Sequence, residues 1–222
     1  MSSIVLPPQK LSIKVCGMKF AENIEAVAGL EPDFMGFIFF KQSGRYVGEV
    51  LDSEQLRSLP AGLCKVGVFV NATPEYVRQQ ISVFGLDYAQ LHGQETPDYC
   101  AELHRNGIKI IKAFPVADEL DQAALQPYVP YCAYFLFDTK GPLPGGNGTT
   151  FDWQALTDYA LPVPYFLSGG LALEHAAVLN SLRLPGLYGV DLNSRFETAP
   201  GTKDVALLRQ MFQQLRDGAK SQ

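Results

Sequence analysis

In Leu11-Ser12-Ile13-Lys14-Val15-Cys16-Gly17-Met18 a cysteine closes a short apolar run and is followed at once by glycine. A strand ending there fixes the thiol, and the glycine lets backbone and ligand come close. Far along the chain, Phe135-Leu136-Phe137-Asp138 has the same form, an apolar run that delivers a carboxylate into a glycine-rich stretch. A thiol and a carboxylate presented by two strand ends are the parts of an acid–base pair. The four cysteines, Cys16, Cys64, Cys100 and Cys132, form no CxxC pair, and no His-x-x-x-His accompanies them. Neither a zinc site nor a redox partner for Cys16 is expected from the chain's spacing.

Other segments could hold a ligand. Ser168-Gly169-Gly170-Leu171 lies between an apolar run and a predicted helix, where bare backbone N–H groups suit a phosphate. Gly189-Val190-Asp191-Leu192-Asn193-Ser194 stands at the next strand end, so Gly169, Gly170, Asn193 and Ser194 are the candidate phosphate donors. Arg45, in Gln42-Ser43-Gly44-Arg45-Tyr46, could clamp a carboxylate through two parallel hydrogen bonds. His92, in Gln90-Leu91-His92-Gly93, ends a strand and reads as a hydrogen-bonding support. Gly145-Gly146-Asn147-Gly148-Thr149-Thr150 lacks the lysine and spacing of a P-loop; it reads as a lid over the site or a plain connector. His104 and His175 fall on predicted helices and read as surface residues. Cys64, Cys100 and Cys132 read as packing residues.

The elements that would position these groups alternate along the whole chain. Strands are predicted over 11–15, 34–40, 65–70, 87–91, 109–114, 134–137, 165–167 and 187–192. Helices are predicted over 21–28, from 53, then 74–84, 96–105, 117–126, 152–159, 173–181 and 203–216. Thr73-Pro74 and Thr96-Pro97 each pair a capping hydroxyl with proline at the first helical position. The strands are short and near-continuously apolar, as parallel strands buried on both faces are. Eight such units fit an α/β fold, a single-domain (β/α)8 TIM barrel over 1–222 with 1–10 as an N-terminal extension. An open doubly wound sheet is the competitor, and the first strand lacks the GxGxxG of its dinucleotide version. In a barrel, Cys16, Arg45, His92, Asp138, Gly169-Gly170 and Asp191 to Ser194 would all meet at the carboxyl ends of the strands.

Composition narrows the class further. A chain of 222 residues, 47% hydrophobic and 18% charged, can bury a full core and is too apolar for disorder. A net charge of -5 argues against a nucleic-acid surface, so an anionic ligand must be held locally. No apolar signal region precedes Leu11 and no stretch reaches the length of a membrane span. A reduced, cytoplasmic protein acting on a small molecule is expected, as monomer or homodimer.

Taken in order, these segments resemble the phosphoribosylanthranilate isomerase family. The resemblance runs through Lys14-Val15-Cys16-Gly17-Met18, Gly36-Phe37-Ile38-Phe39, Ser43-Gly44-Arg45-Tyr46, Val66-Gly67-Val68-Phe69-Val70-Asn71, Gln90-Leu91-His92-Gly93 and Lys112-Ala113-Phe114. It continues through Asp138, Leu167-Ser168-Gly169-Gly170-Leu171, Gly189-Val190-Asp191 and Pro200-Gly201-Thr202-Lys203-Asp204. Asn193-Ser194-Arg195-Phe196-Glu197 departs from the commoner family pattern, a serine pair followed by glycine, valine and glutamate. The resemblance implies an Amadori rearrangement in tryptophan biosynthesis, without metal or cofactor. It implies Asp138 as general acid on the furanose ring oxygen and Cys16 as general base at ribose C2. Arg45 would hold the anthranilate carboxylate, and Asp191 would lie near the ribose hydroxyls.

The chemistry sets a demand. With ordinary pKa values of about 3.9 and 8.5, a protonated Asp138 beside an ionised Cys16 occurs at roughly 10^-4.6, a penalty of about 6 kcal/mol. Burial behind Phe135 and Phe137 is expected to raise the carboxyl, and a helix start or cation to lower the thiol. Two other readings stay open on sequence. A related phosphosugar barrel would carry a lysine–glutamate set or two aspartates instead, and a noncatalytic phosphate-binding barrel would need neither Cys16 nor Asp138.

Overall fold

The computed structural model describes residues 10–48, 50–116, 120–139 and 153–218. Eight parallel strands close into a barrel: β1 (Ser12–Cys16), β2 (Phe34–Ile38), β3 (Cys64–Phe69), β4 (Tyr88–Leu91), β5 (Lys109–Val116), β6 (Cys132–Thr139), β7 (Tyr165–Ser168) and β8 (Leu187–Leu192). The ring closes where β1 pairs with β8, from Ser12 opposite Gly189 to Val15 opposite Leu192. The helices are α1 (Ala21–Ala28), α2 (Ser53–Ser58), α3 (Pro74–Phe84), α4 (Pro97–Arg105), α5 (Gln122–Leu125), α6 (Ala176–Ser181) and α7 (Val205–Gly218). The open doubly wound alternative is thereby excluded.

Local chemistry explains where the elements begin. Thr73 and Thr96 accept from the amides of Tyr76 and Tyr99, each at 3.3 Å, and Asp52 caps α2 through the Glu54 amide at 2.9 Å. The last helix starts later than its apolar pattern suggests. Asp204 accepts from the Leu207 amide at 2.9 Å and so acts as its cap. Lys203 belongs instead to a two-stranded hairpin, β9 (Glu197–Ala199) with β10 (Thr202–Lys203), which the sequence reading missed. The helix expected over 152–159 is a 3-10 turn at Trp153–Leu156, and that over 173–181 is a 3-10 turn followed by α6. The glycine-rich segment 145–150, expected as a lid, lies outside the described residues.

The alternation of side chains along each strand divides the core in two. Ile13, Val15, Phe135, Phe137, Tyr165 and Leu167 point outward into the layer beneath the helices. Phe34, Val66, Ile111, Ala113, Leu136 and Phe166 fill the barrel interior, joined by Tyr88, Tyr134 and Tyr188. Phe34 packs against Phe166 at 5.1 Å, Tyr88 at 5.7 Å and Tyr134 at 5.9 Å between ring centroids. These rings plug the lumen and separate its carboxyl-end mouth from the opposite end of the barrel. No helix among the described residues is long and apolar enough to cross a membrane.

Candidate active site

Two residues beyond Tyr88, Leu136 and Phe166 of the plug, the inward faces of β4, β6 and β7 turn polar, at Gln90, Asp138 and Ser168. Lys14 and Cys16 leave β1, Gln90 and His92 leave β4, Asp138 leaves β6 and Ser168 leaves β7 on the lumen side. Cys16, Gln90, His92, Asp138, Asp191 and the 168–171 and 193–194 loops line a cavity of about 230 Å³. The structure thus brings together every candidate named from sequence except Arg45. A larger cavity of about 720 Å³ lies at the other end of the barrel, walled by Glu25, Glu31, Asp33 and the 58–63 turn. It holds none of the acid–base groups.

Cys16 is 3% exposed, seated against Gly36 of β2. A Cβ at Gly36 would lie 2.7 Å from Cys16 Sγ, so the absence of a side chain there makes room for the thiol. Beneath it, Lys14 is fully buried and pairs with Asp191 at 2.8 Å. Asp191 also accepts from Ser168 Oγ at 3.4 Å. Burial works against the Lys14 charge, but Asp191 and the neighbouring thiol hold its pKa above the ordinary lysine value.

One expectation about protonation, a lowered Cys16 thiol, fails. Burial pushes the Cys16 thiol up; Lys14 and Lys203 pull it down, and Asp191 adds to the rise. The expected cations are present, yet desolvation outweighs them. Phe135 and Phe137 do not supply the cover expected over Asp138. Phe135 and Phe137 alternate with it and face outward, Phe135 against Phe114 and Phe137 against Tyr159 and Tyr165. The Asp138 side chain keeps 23% exposure and meets His92 Nε2 at 3.3 Å. His92 Nδ1 lies 3.1 Å from Gln90 Nε2, so both ring nitrogens of His92 have a side-chain neighbour.

Arg45 stands beside Gly17, at whose Cβ position its Cδ would be 2.7 Å away. Its Nε and Nη2 are engaged with Glu197 at 2.9, 3.0 and 2.6 Å. Glu197 pairs in turn with the buried Lys203 Nζ at 2.7 Å, which also donates to Asn193 Oδ1 at 2.8 Å. Burial is the largest influence on Glu197 and opposes its charge, but Arg45 and Lys203 hold its carboxyl below the ordinary value. Burial holds Lys203 below its own, with Glu197 opposing. Sequence reasoning missed Lys14, Gln90, Glu197 and Lys203 as site residues. A signal existed for Lys14, a lysine inside an apolar strand and two residues from Cys16, hence on the same face.

Gly169 and Gly170 take φ of +98° and +61°, a left-handed path that a side chain would oppose and that turns the chain at the cavity wall. Of the remaining residues read from sequence, Cys100 and Cys132 are buried in the outer core, and Cys64 packs at the interior cluster. His104 is exposed. His175 is partly buried and accepts from the Ala172 amide at 2.9 Å, a local support and not a bare surface group.

Comparison with known proteins agrees with this architecture. The profile of the N-(5'-phosphoribosyl)anthranilate isomerase family matches residues 13–214. The N-(5'-phosphoribosyl)anthranilate isomerase of Parabacteroides distasonis is 44% identical over 209 residues, covering 91% of this chain and 92% of that protein. The crystal structure of phosphoribosyl anthranilate isomerase from Thermotoga maritima is similar at TM-score 0.76 and 30% identity, covering 93% of this chain and 99% of that one. A phosphoribosyl anthranilate isomerase in complex with reduced 1-(o-carboxyphenylamino)-1-deoxyribulose 5-phosphate is similar at TM-score 0.74 and 27% identity, with coverage of 93% and 99%.

Proposed function

The chain belongs to the N-(5'-phosphoribosyl)anthranilate isomerase family, enzymes of tryptophan biosynthesis, and from that premise we propose which of its residues carry the Amadori rearrangement. Asp138 is the general acid that protonates the furanose ring oxygen of N-(5-phosphoribosyl)anthranilate. The ring opens to a Schiff base. Cys16 is the general base that removes the proton from ribose C2, and the enolamine then tautomerises to the ketone of 1-(2-carboxyphenylamino)-1-deoxyribulose 5-phosphate. The observation that carries this assignment is that β1 and β6 deliver Cys16 and Asp138 to one cavity with Asp191 and the 168–171 and 193–194 loops.

The other roles follow from the groups' surroundings. Backbone amides at Gly169, Gly170, Asn193 and Ser194 take the phosphate. Asp191, fixed by Lys14, and His92 face the ribose. Arg45 offers its Nη1 side to the anthranilate carboxylate, since Glu197 engages Nε and Nη2. The raised thiol means that the free site does not store a thiolate. The protonated Schiff base supplies a positive charge beside C2, and an adjacent cation favours the ionised thiol at the moment the proton is taken. No metal or organic cofactor enters this scheme. We place the activity in one cytoplasmic barrel domain spanning the chain, monomeric or homodimeric.

The test is the decay of phosphoribosylanthranilate fluorescence with wild type, Cys16→Ser and Asp138→Asn. Rapid loss with wild type and a fall of orders of magnitude in both variants is expected. Turnover surviving in Cys16→Ser would move the base elsewhere while leaving the isomerase intact.

A further inference from the structure

Two buried side-chain polar atoms have no hydrogen-bond partner among the described residues, Tyr165 Oη and Gln90 Oε1. Tyr165 lies in the outer layer, its ring 4.8 Å from Phe137 and 4.9 Å from Tyr159, away from the chemistry. Gln90 is 1% exposed and sits in the wall of the cavity that holds Cys16 and Asp138. An unpaired buried amide oxygen carries its full desolvation penalty, and the residue one pleat below it on the same face, Tyr88, belongs to the plug of apolar and aromatic side chains. A polar side chain kept at that cost calls for an explanation in the site's own chemistry.

The single side-chain bond that Gln90 makes supplies one. Its Nε2 meets His92 Nδ1 at 3.1 Å, and His92 Nε2 meets Asp138 Oδ2 at 3.3 Å. An amide nitrogen can only donate, so Nδ1 must accept, and the proton of a neutral imidazole must then sit on Nε2. In that setting His92 donates to Asp138 and favours its carboxylate form. The amide has a second setting, rotated by half a turn. Its oxygen then accepts from Nδ1–H, the bare Nε2 accepts from Asp138, and the acid form is the one held. The two settings differ by one proton on the His92–Asp138 pair, taken from or returned to solvent. Because the far end of the amide is unpartnered, nothing else among the described residues pins it to one setting.

We propose that Gln90 is a positioning residue whose reversible amide sets the tautomer of His92 and, through it, whether Asp138 is held as carboxylate or as acid. This rests on Asp138 being the general acid. The amide's unpaired end is then the cost of serving both protonation states, since a residue satisfied in one setting would be locked there.

Nitrogen NMR of the imidazole rings tests it directly, with His92 assigned by comparison with His92→Gln. In ligand-free wild type at neutral pH, a neutral ring protonated at Nε2 is expected. In Gln90→Glu the acceptor-only carboxylate should draw a proton to Nδ1, so that both His92 nitrogens are protonated under the same conditions. Gln90→Met should lower kcat at least tenfold with KM within about threefold, because the acid is disordered while the binding groups remain. A wild-type ring protonated at both nitrogens at neutral pH, which fits neither setting and needs no variant to observe, would overturn the proposal. So would a Gln90→Glu ring unchanged from wild type, or a Gln90→Met enzyme with wild-type kcat. Full activity in Asp138→Asn would instead refute the assignment of the acid, leaving the tautomer measurement to stand on its own.

Discussion

Lys14→Met separates the two duties of the lysine beneath the thiol. Its ammonium lies 2.8 Å from Asp191 with side-chain exposures of 0% and 5%. At that separation and an effective dielectric of ~20, the gross attraction is about 6 kcal/mol. Removing one partner of a buried pair costs about 3–5 kcal/mol, because the other charge is left uncompensated. At ~2.1 cal/mol/K per residue over 222 residues, the unfolding entropy is about 0.47 kcal/mol/K, so the melting temperature should fall by about 6–11 °C. The pH dependence has a definite sign. Lys14's folded pKa lies above its unfolded value, so its contribution is fully present below the ordinary lysine range and is lost as pH rises through the folded pKa. The stability gap between wild type and variant should therefore be constant near neutrality and close only in strong alkali. The variant also takes a cation from beside Cys16, so the thiol should titrate higher still and kcat should fall. Lys14→Met/Asp191→Leu removes both charges, and calorimetry should show much of the lost stability restored while fluorescence decay stays slow. A single variant that melts within about 2 °C of wild type, or a double variant no more stable than the single one, would refute this account.

Other outcomes follow from the same geometry. Gly36→Ala would put a methyl group 2.7 Å from Cys16 Sγ; overpacking of about 1–3 kcal/mol and a kcat loss of at least tenfold with little change in KM are expected from denaturation and steady-state kinetics. Because burial raises the Cys16 thiol, alkylation by iodoacetamide should be slower than that of a free thiol at neutral pH and should climb with pH through and beyond the ordinary thiol range, read by mass spectrometry of the Cys16 peptide. Glu197→Gln leaves the buried Lys203 beside Arg45 without their shared counter-charge, and should cost about 2–5 kcal/mol in urea titrations at neutral pH. That loss should shrink as pH falls through the depressed Glu197 pKa, where wild type protonates the same group.

The chain's repeating strand–helix units made the barrel legible, because parallel strands covered on both faces leave a distinct apolar signature at Phe34–Ile38 and Leu187–Leu192. The strand ends were legible for the same reason, and Cys16, His92, Asp138 and Asp191 all reach the cavity. What could not be read was which side of a strand each residue faces relative to its neighbours across the ring. The alternation within one strand was readable and was not applied: it sets Phe137 on the face opposite Asp138 and Lys14 on the face of Cys16. The β9–β10 hairpin was missed because its strands are only three and two residues long, too short to show a period. With it went the Arg45–Glu197–Lys203 chain, since a charge partner 152 residues away leaves no local trace.

The seam between β1 and β8 has a consequence for how the enzyme comes into being. Lys14 and Asp191, 177 residues apart in the chain, meet across it, and β1, though paired with β2, lacks its second neighbour until β8 exists. At 5–20 residues per second of synthesis, the first strand waits roughly 9–35 s for the last. During that interval Lys14 has no carboxylate and β1 has an open edge, so a nascent chain halted short of β8 carries the thiol but no finished site. Activity therefore arrives only once β8 has been made and not gradually, and a chain released before β8 exposes a bare strand edge in place of a weaker enzyme.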